Sequence, residues 1–242
     1  MKLLLVNPNT TDTMTMGMRL AAEAVAAEGT EIVAVTAADG PESIEGYYDE
    51  AFAVPALLDA IRQHPDAAAV VVGCFDDTGV DAARCATEAP VIGLCQAALH
   101  AASIVAGSFS IVTTLGRSVP AIEHLVRRYG HWEMCRRVRA SEIPVLALED
   151  PWSDARDRLR REIGRALAED GSEAIVLGCA GMVDMARALA DEFSVPVLEG
   201  VTTAVKAVEG LARLGIATSK RGGYAPPRAK TYRGEFSRFA PR

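Results

Sequence analysis

Two cysteines offer the clearest chemistry in this sequence. Cys74 and Cys179 each follow a glycine, and each Gly-Cys pair closes a short apolar run, 68–72 in one case and 174–177 in the other. A continuous apolar run of that length suits a strand buried on both faces. Parallel sheets bind ligands beyond the carboxyl ends of their strands, which is where both thiols would stand. Two thiols facing each other across one cleft can invert a carbon stereocentre. A thiolate removes the proton from one face, and a thiol on the other face returns one. Each cysteine also precedes an expected helix start, where the dipole and free N–H groups lower a thiol pKa. The same N–H groups can hold the oxygen that gains charge in an enolate-like intermediate. Such chemistry needs no cofactor.

A lone cysteine after a buried strand is commonly a small core residue. The pairing is what speaks against that reading here. Cys95 is the rival thiol, since it also follows a strand and opens a helix. Its repeat-related position falls near Val201, which points to a structural role. Cys85 lies in a helix and Cys135 in a basic stretch. Five cysteines, an odd number, in a chain with no targeting segment suggest free thiols. The four histidines are scattered, and no cysteine or histidine set has zinc spacing, so no metal is expected. Asn7-Pro8-Asn9-Thr10-Thr11 is a helix cap, a ligand contact, or both. Asp76 and Asp77 are helix caps, a charge lining the cleft, or both. Ser43-Ile44-Glu45-Gly46 by itself is a surface turn, and Gly178-Cys179-Ala180-Gly181 only weakly resembles a phosphate-binding turn.

The elements that position these groups follow from the hydrophobic pattern. The chain has 242 residues, half of them hydrophobic, and a net charge of 25 − 32 = −7. That charge argues against nucleic acid or an anionic membrane surface as a partner. No apolar run approaches the roughly 18 residues of a bilayer span. The opening run 1–8 is too short for a signal segment and reads as a first strand, so a cytoplasmic location is expected. Strands are predicted over 3–6, 31–36, 68–72 and 91–94, and helices over 13–28, 49–63, 79–87 and 96–106. The order then repeats, with strands over 109–114, 143–148, 174–179 and 196–198 and helices over 118–129, 153–169, 183–192 and 201–214. Strand and helix alternating in this way indicate βαβ units and a parallel sheet. Val6 and Val112 stand 106 residues apart, Cys74 and Cys179 105, and Pro90 and Pro196 106. The nearly constant offset marks an internal duplication. No linker separates the halves, and the Gly-, Pro- and Arg-rich tail from Thr218 reads as irregular, packed on a lobe or on a neighbouring subunit.

The sequence resembles the aspartate/glutamate racemase superfamily, in its hydantoin and allantoin racemase branch. The resemblance spans nearly the whole chain. It rests on Val6-Asn7-Pro8-Asn9-Thr10, Ser43-Ile44-Glu45-Gly46, Cys74-Phe75-Asp76-Asp77, Phe109–Leu115, Pro144–Glu149 and Ala174–Met182. It implies an α/β fold of two pseudo-symmetric Rossmann-like (flavodoxin-like) lobes, each a parallel sheet flanked by helices, with the active site in the cleft between them. Residues 1–97 plus 208–242 would form the first lobe and 98–207 the second. It implies a cofactor-independent racemase of a small cyclic amide, a 5-substituted hydantoin, with Cys74 and Cys179 as the acid/base pair, and a homo-oligomer. Asn9, Ser43, Ile44, Phe75, Thr114, Ala180 and Gly181 match the family's ligand-contacting loops. Thr78 departs from the family's common proline and leaves the loop after Cys74 open. Amino-acid racemases of the superfamily carry Thr or Asn after each cysteine and His after the second. Phe75 and Ala180-Gly181-Met182 replace them here, which suits a neutral ring better than a zwitterion. Ile44 and Phe75 hint at an apolar wall and favour hydantoin over allantoin. An amino-acid racemase, a single-thiol isomerase or decarboxylase, and a non-catalytic two-lobed binding protein are the rival readings.

Overall fold

A computed structural model describes residues 1–150 and 152–241. Its first half holds strands β1 (Lys2–Asn7), β2 (Glu31–Thr36), β3 (Ala69–Val72) and β4 (Val91–Gly93) with helices α1 (Asp12–Val25), α2 (Tyr47–Gln63), α3 (Val80–Ala86) and α4 (Leu94–Val105). The second half holds β5 (Phe109–Thr113), β6 (Cys135–Ala140), β7 (Ala174–Gly178) and β8 (Val197–Leu198) with α5 (Val119–Arg128), α6 (Ala155–Arg165), α7 (Ala186–Phe193) and α8 (Gly200–Arg213). The strand orders are β2-β1-β3-β4 and β6-β5-β7-β8, and every pair is parallel. The two sheets therefore repeat one topology, as the offset predicts. β1, β3, β5 and β7 are inner strands. Leu3–Val6 and Ala69–Val72 are fully buried, which explains why they read as unbroken apolar runs.

Helices cover both faces of each sheet. α2 and α3 close over Leu4, Val6, Val70 and Val72. α6 and α7 close over Val112, Ile175 and Leu177. Between the sheets run α4 and α8, whose Leu94, Leu99, Val201 and Val205 share one core with Leu3, Val71, Ile111 and Val176. A single apolar layer thus joins the halves. At its centre a Cβ on Gly200 would fall 2.4 Å from Leu94 Cβ and 2.8 Å from Leu94 O. Leu94 and Gly200 are 106 positions apart, the repeat offset, so the internal two-fold axis passes through this contact. α4 and α8 are also capped alike, each by a buried carboxylate. Asp77 accepts from the N–H groups of Cys95 (2.9 Å) and Gln96 (3.0 Å), and Glu199 from those of Val201 and Thr202.

One predicted strand is misplaced. The second strand of the second sheet is Cys135–Ala140, and 143–148 is a loop with a 3-10 turn at Val145–Leu148. Pro144 has no N–H for a sheet ladder, which works against a strand there. The true strand is an edge, paired only with β5, and its Arg136 and Arg137 are exposed as edges commonly require. Its Arg139 is only 4% exposed and is held by Asp170, Glu162 and Glu169. The helix predicted over 183–192 is also divided, into a 3-10 turn at Ala180–Met185 and then α7. The tail is irregular apart from short turns. It lies along α2 and α3, where Tyr224 Oη donates to Asp81 at 3.1 Å and Arg238 Nε to Asp59 at 3.0 Å.

Candidate active site

Each thiol owes its position to the glycine before it. A Cβ on Gly73 would lie 2.9 Å from Met18 Sδ and 3.0 Å from Val6 O, and one on Gly178 would lie 2.9 Å from Thr113 Cβ. Neither strand end could sit this close to its neighbour with a larger residue. Cys74 and Cys179 therefore leave β3 and β7 at equivalent points and line one cavity of about 30 Å³ between the halves. Asn9, Ile44, Phe75, Thr114 and Ala180 line it with them. Ser43 lies outside the lining, half-buried beside Ile44, and so does Gly181.

Asn9 holds the turn that leads into α1 and also lines the cavity. Its Oδ1 accepts from Thr11 N at 3.0 Å and from Asn7 Nδ2 at 2.8 Å, which fixes the turn into α1. Asn7 Nδ2 also donates to Thr15 Oγ1 at 2.9 Å, so the whole amide pair is held rigid. Asn9 Nδ2 meets only the Met14 sulfur, at 3.3 Å. A thioether is a weak acceptor. The amide N–H₂ is therefore a pre-aimed donor at the cavity wall, suited to a carbonyl oxygen.

The thiols do not have the low pKa values that helix starts imply. Burial pushes Cys74 well above the ordinary thiol range, and the nearby Asp76 charge adds to it. Burial pushes Cys179 up to about 12. The reason lies in the local chain path. α3 begins only at Val80, so its N-terminus is not beside Cys74. Cys179 is followed by the 3-10 turn and not by an α-helix. Single turn amides oppose burial instead: Asp76 N–H at Cys74 and Gly181 N–H at Cys179, each two residues on from its thiol. Gly181 thus meets Cys179 through its backbone N–H. Thr78 adds an O–H donor to Cys74 Sγ at 3.4 Å. The residue that departs from the family's proline has become a partner of the thiol.

The paired aspartates divide their work. Asp77, at a left-handed φ of 49°, turns its carboxylate away to cap α4 and accepts from Tyr129 Oη at 2.8 Å. Asp76 lines the cavity, and its carboxyl is pushed up to about 7 by burial, then by Glu50 and Asp77. Across the cavity, Glu45 Oε1 accepts from Val145 N at 3.0 Å. Ile44 and Val145 both line the cavity, so this bond ties the two halves together at its wall. Val145, Met14 and Ser118 are lining residues that the sequence reading missed, while Thr113 lines the cavity from the strand end that also carries Thr114. Ser118 stands at the start of a predicted helix, which is the signal that could have found it. Among the described residues no three His, Cys, Asp or Glu side chains are grouped to hold a metal ion. Nor is any described helix long and apolar enough to cross a membrane.

Known proteins are similar to this chain over nearly its whole length. The profile of the Asp/Glu/Hydantoin racemase family matches residues 3–208. A hydantoin racemase from Rhizobium meliloti is 49% identical over 232 residues, covering 95% of this chain and 96% of that one. The structure of allantoin racemase from Klebsiella pneumoniae superposes with a TM-score of 0.96 at 46% identity, covering 100% and 99% of the two chains. That of allantoin racemase from Pseudomonas fluorescens gives 0.93 at 37% identity, covering 97% and 100%. With two repeated parallel sheets and a thiol at each equivalent strand end, the chain belongs to the Asp/Glu/hydantoin racemase family.

Proposed function

We propose that this chain is a cofactor-independent racemase that inverts C5 of 5-monosubstituted hydantoins by moving a proton between Cys74 and Cys179. The observation that carries this reading is one cavity lined by two thiols from symmetry-related strand ends. The C5 hydrogen leaves toward one thiolate, and the ring flattens into an enolate. The opposite thiol then donates its proton to the other face. Asn9 Nδ2 and the turn N–H groups are the donors available to the ring oxygens and to the thiolates. A thiolate whose pKa is raised by burial is a stronger base, which suits a weak carbon acid. Oligomeric assembly in the cytoplasm belongs to the same proposal. Trp152, Ile104 and Leu214 are large apolar side chains left exposed in the single chain. Allantoin is the second reading, favoured by the similarity to the Klebsiella pneumoniae structure.

The test follows single enantiomers of a 5-alkylhydantoin, of allantoin and of aspartate in D₂O, by optical rotation and by loss of the C–H signal. Racemisation with deuterium uptake is expected for hydantoins and not for aspartate. The pH dependence is a second expected result. Both thiols lie above their ordinary range in the free protein. The thiolate population, and with it kcat/KM, should therefore rise about tenfold per pH unit over roughly pH 7 to 9. A flat profile across that window would show that a thiolate is already present at neutral pH.

A further inference from the structure

The first part of the tail, residues 218–224, is fastened along α3. Lys220 Nζ donates to Arg84 O at 2.6 Å and to Thr87 O, carbonyls at the end of that helix. A cation there complements the exposed carbonyls and the helix dipole. Just before it, Thr218 donates from N to Glu88 O at 2.8 Å and from Oγ1 to Ala89 O at 2.6 Å. Just after it, Gly223 O accepts from Cys85 Sγ at 3.4 Å. Tyr224 Oη then donates to Asp81 at 3.1 Å and accepts from Arg84 Nη1 at 3.2 Å. The tail thus follows α3 from its first turn to its end.

This helix needs the support. It has seven residues, far fewer than a helix needs to hold by itself. Val80 and Ala83 bury one side of it with Leu57 and Ile61 of α2, and the tail supplies further contacts. Its start is tied to the thiol turn by two consecutive bonds. Val80 N donates to Asp77 O at 3.1 Å, and Asp77 N donates to Cys74 O at 3.2 Å. Thr78, the hydroxyl partner of Cys74 Sγ, lies inside the same turn. A shift of α3 is therefore passed directly to Cys74. The other half has no counterpart. Among the described residues, every hydrogen bond from the tail to the rest of the chain goes to the first half. The duplication is broken at this point: one thiol turn is braced by the tail and its mate is not. Within the brace, the Asp81 side chain is 45% exposed, so solvent weakens its contacts with Tyr224 and Arg128. The bonds of Lys220 are part-buried and reach the helix backbone itself. We propose that residues 218–224 are a clamp that positions Cys74, with Lys220 as its main positioning residue.

Cys179 in the same molecule is the reference for the test. Labelling with iodoacetamide, followed peptide by peptide in a mass spectrometer, gives the ratio of the Cys74 and Cys179 rates. Lys220→Met keeps the length of the side chain and removes its donors. The ratio is expected to rise about tenfold, the effect of one hydrogen bond from a charged group on a local opening equilibrium. Lys220→Arg restores the donors and should return the ratio to the parent value. An unchanged ratio in Lys220→Met overturns the proposal. So does an equal rise at both thiols, which marks general loosening. The bearing of the clamp on catalysis rests on the proposed racemisation by two thiols. On that reading, kcat for a 5-alkylhydantoin falls about tenfold in Lys220→Met with KM little changed, and recovers in Lys220→Arg. A shifted labelling ratio at parent kcat overturns that bearing. Labelling needs no substrate, so a parent that racemises no hydantoin removes the racemase reading alone, and the ratio still decides the clamp.

Discussion

Cys179→Ser is expected to lose racemisation by about a thousandfold or more, the scale of a removed acid/base group, and Cys74→Ser to do the same. The serine hydroxyl does not ionise near neutral pH, so it cannot act as the base. The two losses should differ in one respect. Each variant keeps one thiol on one face of the ring. Cys74→Ser should still exchange the C5 hydrogen of the enantiomer that faces Cys179, and Cys179→Ser that of the opposite enantiomer. Exchange without inversion is measured by NMR in D₂O on separate enantiomers. Parent rates in both variants would remove the two-thiol mechanism. Loss in only one of them would favour single-thiol chemistry.

Gly200→Ala should cause the second large effect, on stability. The added Cβ would meet Leu94 Cβ at 2.4 Å and the Leu94 backbone at 2.8 Å. No flexible side chain can swing away, so the starts of α4 and α8 must separate. Overpacking of this kind costs about 3 kcal/mol, which lowers Tm by roughly 6 to 12 °C in a chain this size. Gly210→Ala is the internal control. It lies in the same helix, with nothing within 4 Å of its would-be Cβ. Replacing a helical glycine there should stabilise by about 0.5–1 kcal/mol. Thermal unfolding of the two variants side by side tests both statements. If they unfold together, the contact at the internal axis is not tight.

The doubled βαβ order was legible because the buried strands are uninterrupted apolar runs and the offset holds at separate landmarks. The thiol pair was legible for the same reason, since each Gly-Cys step recurs at a strand end. β6 was hidden by its arginines. The burial of Arg139 depends on Asp170, Glu162 and Glu169, which lie 23 to 31 positions away. Asp77 was equally opaque: it was open to reading as a cap, but its partner helix begins 17 residues later, not next to it. The thiol pKa values were misjudged because burial is a property of the assembled cleft. The neighbours of Cys74 in sequence do not reveal it.

The bond from Glu45 to Val145 has a kinetic consequence. The bond joins Ile44's loop to Val145, and both residues line the thiol cleft, so the cleft cannot widen at that wall without breaking it. A ring that needs a wider cleft would therefore draw on the population in which this bond is broken. If the latch is worth about 1 kcal/mol, it alone holds that population to about one molecule in six, and the apparent affinity is reduced by the same fraction. The return for this restraint comes after capture. On the proposed mechanism, re-forming the bond would shield the carbanion from solvent protons, so that the hydrogen reaching C5 would be the one held by the opposite thiol.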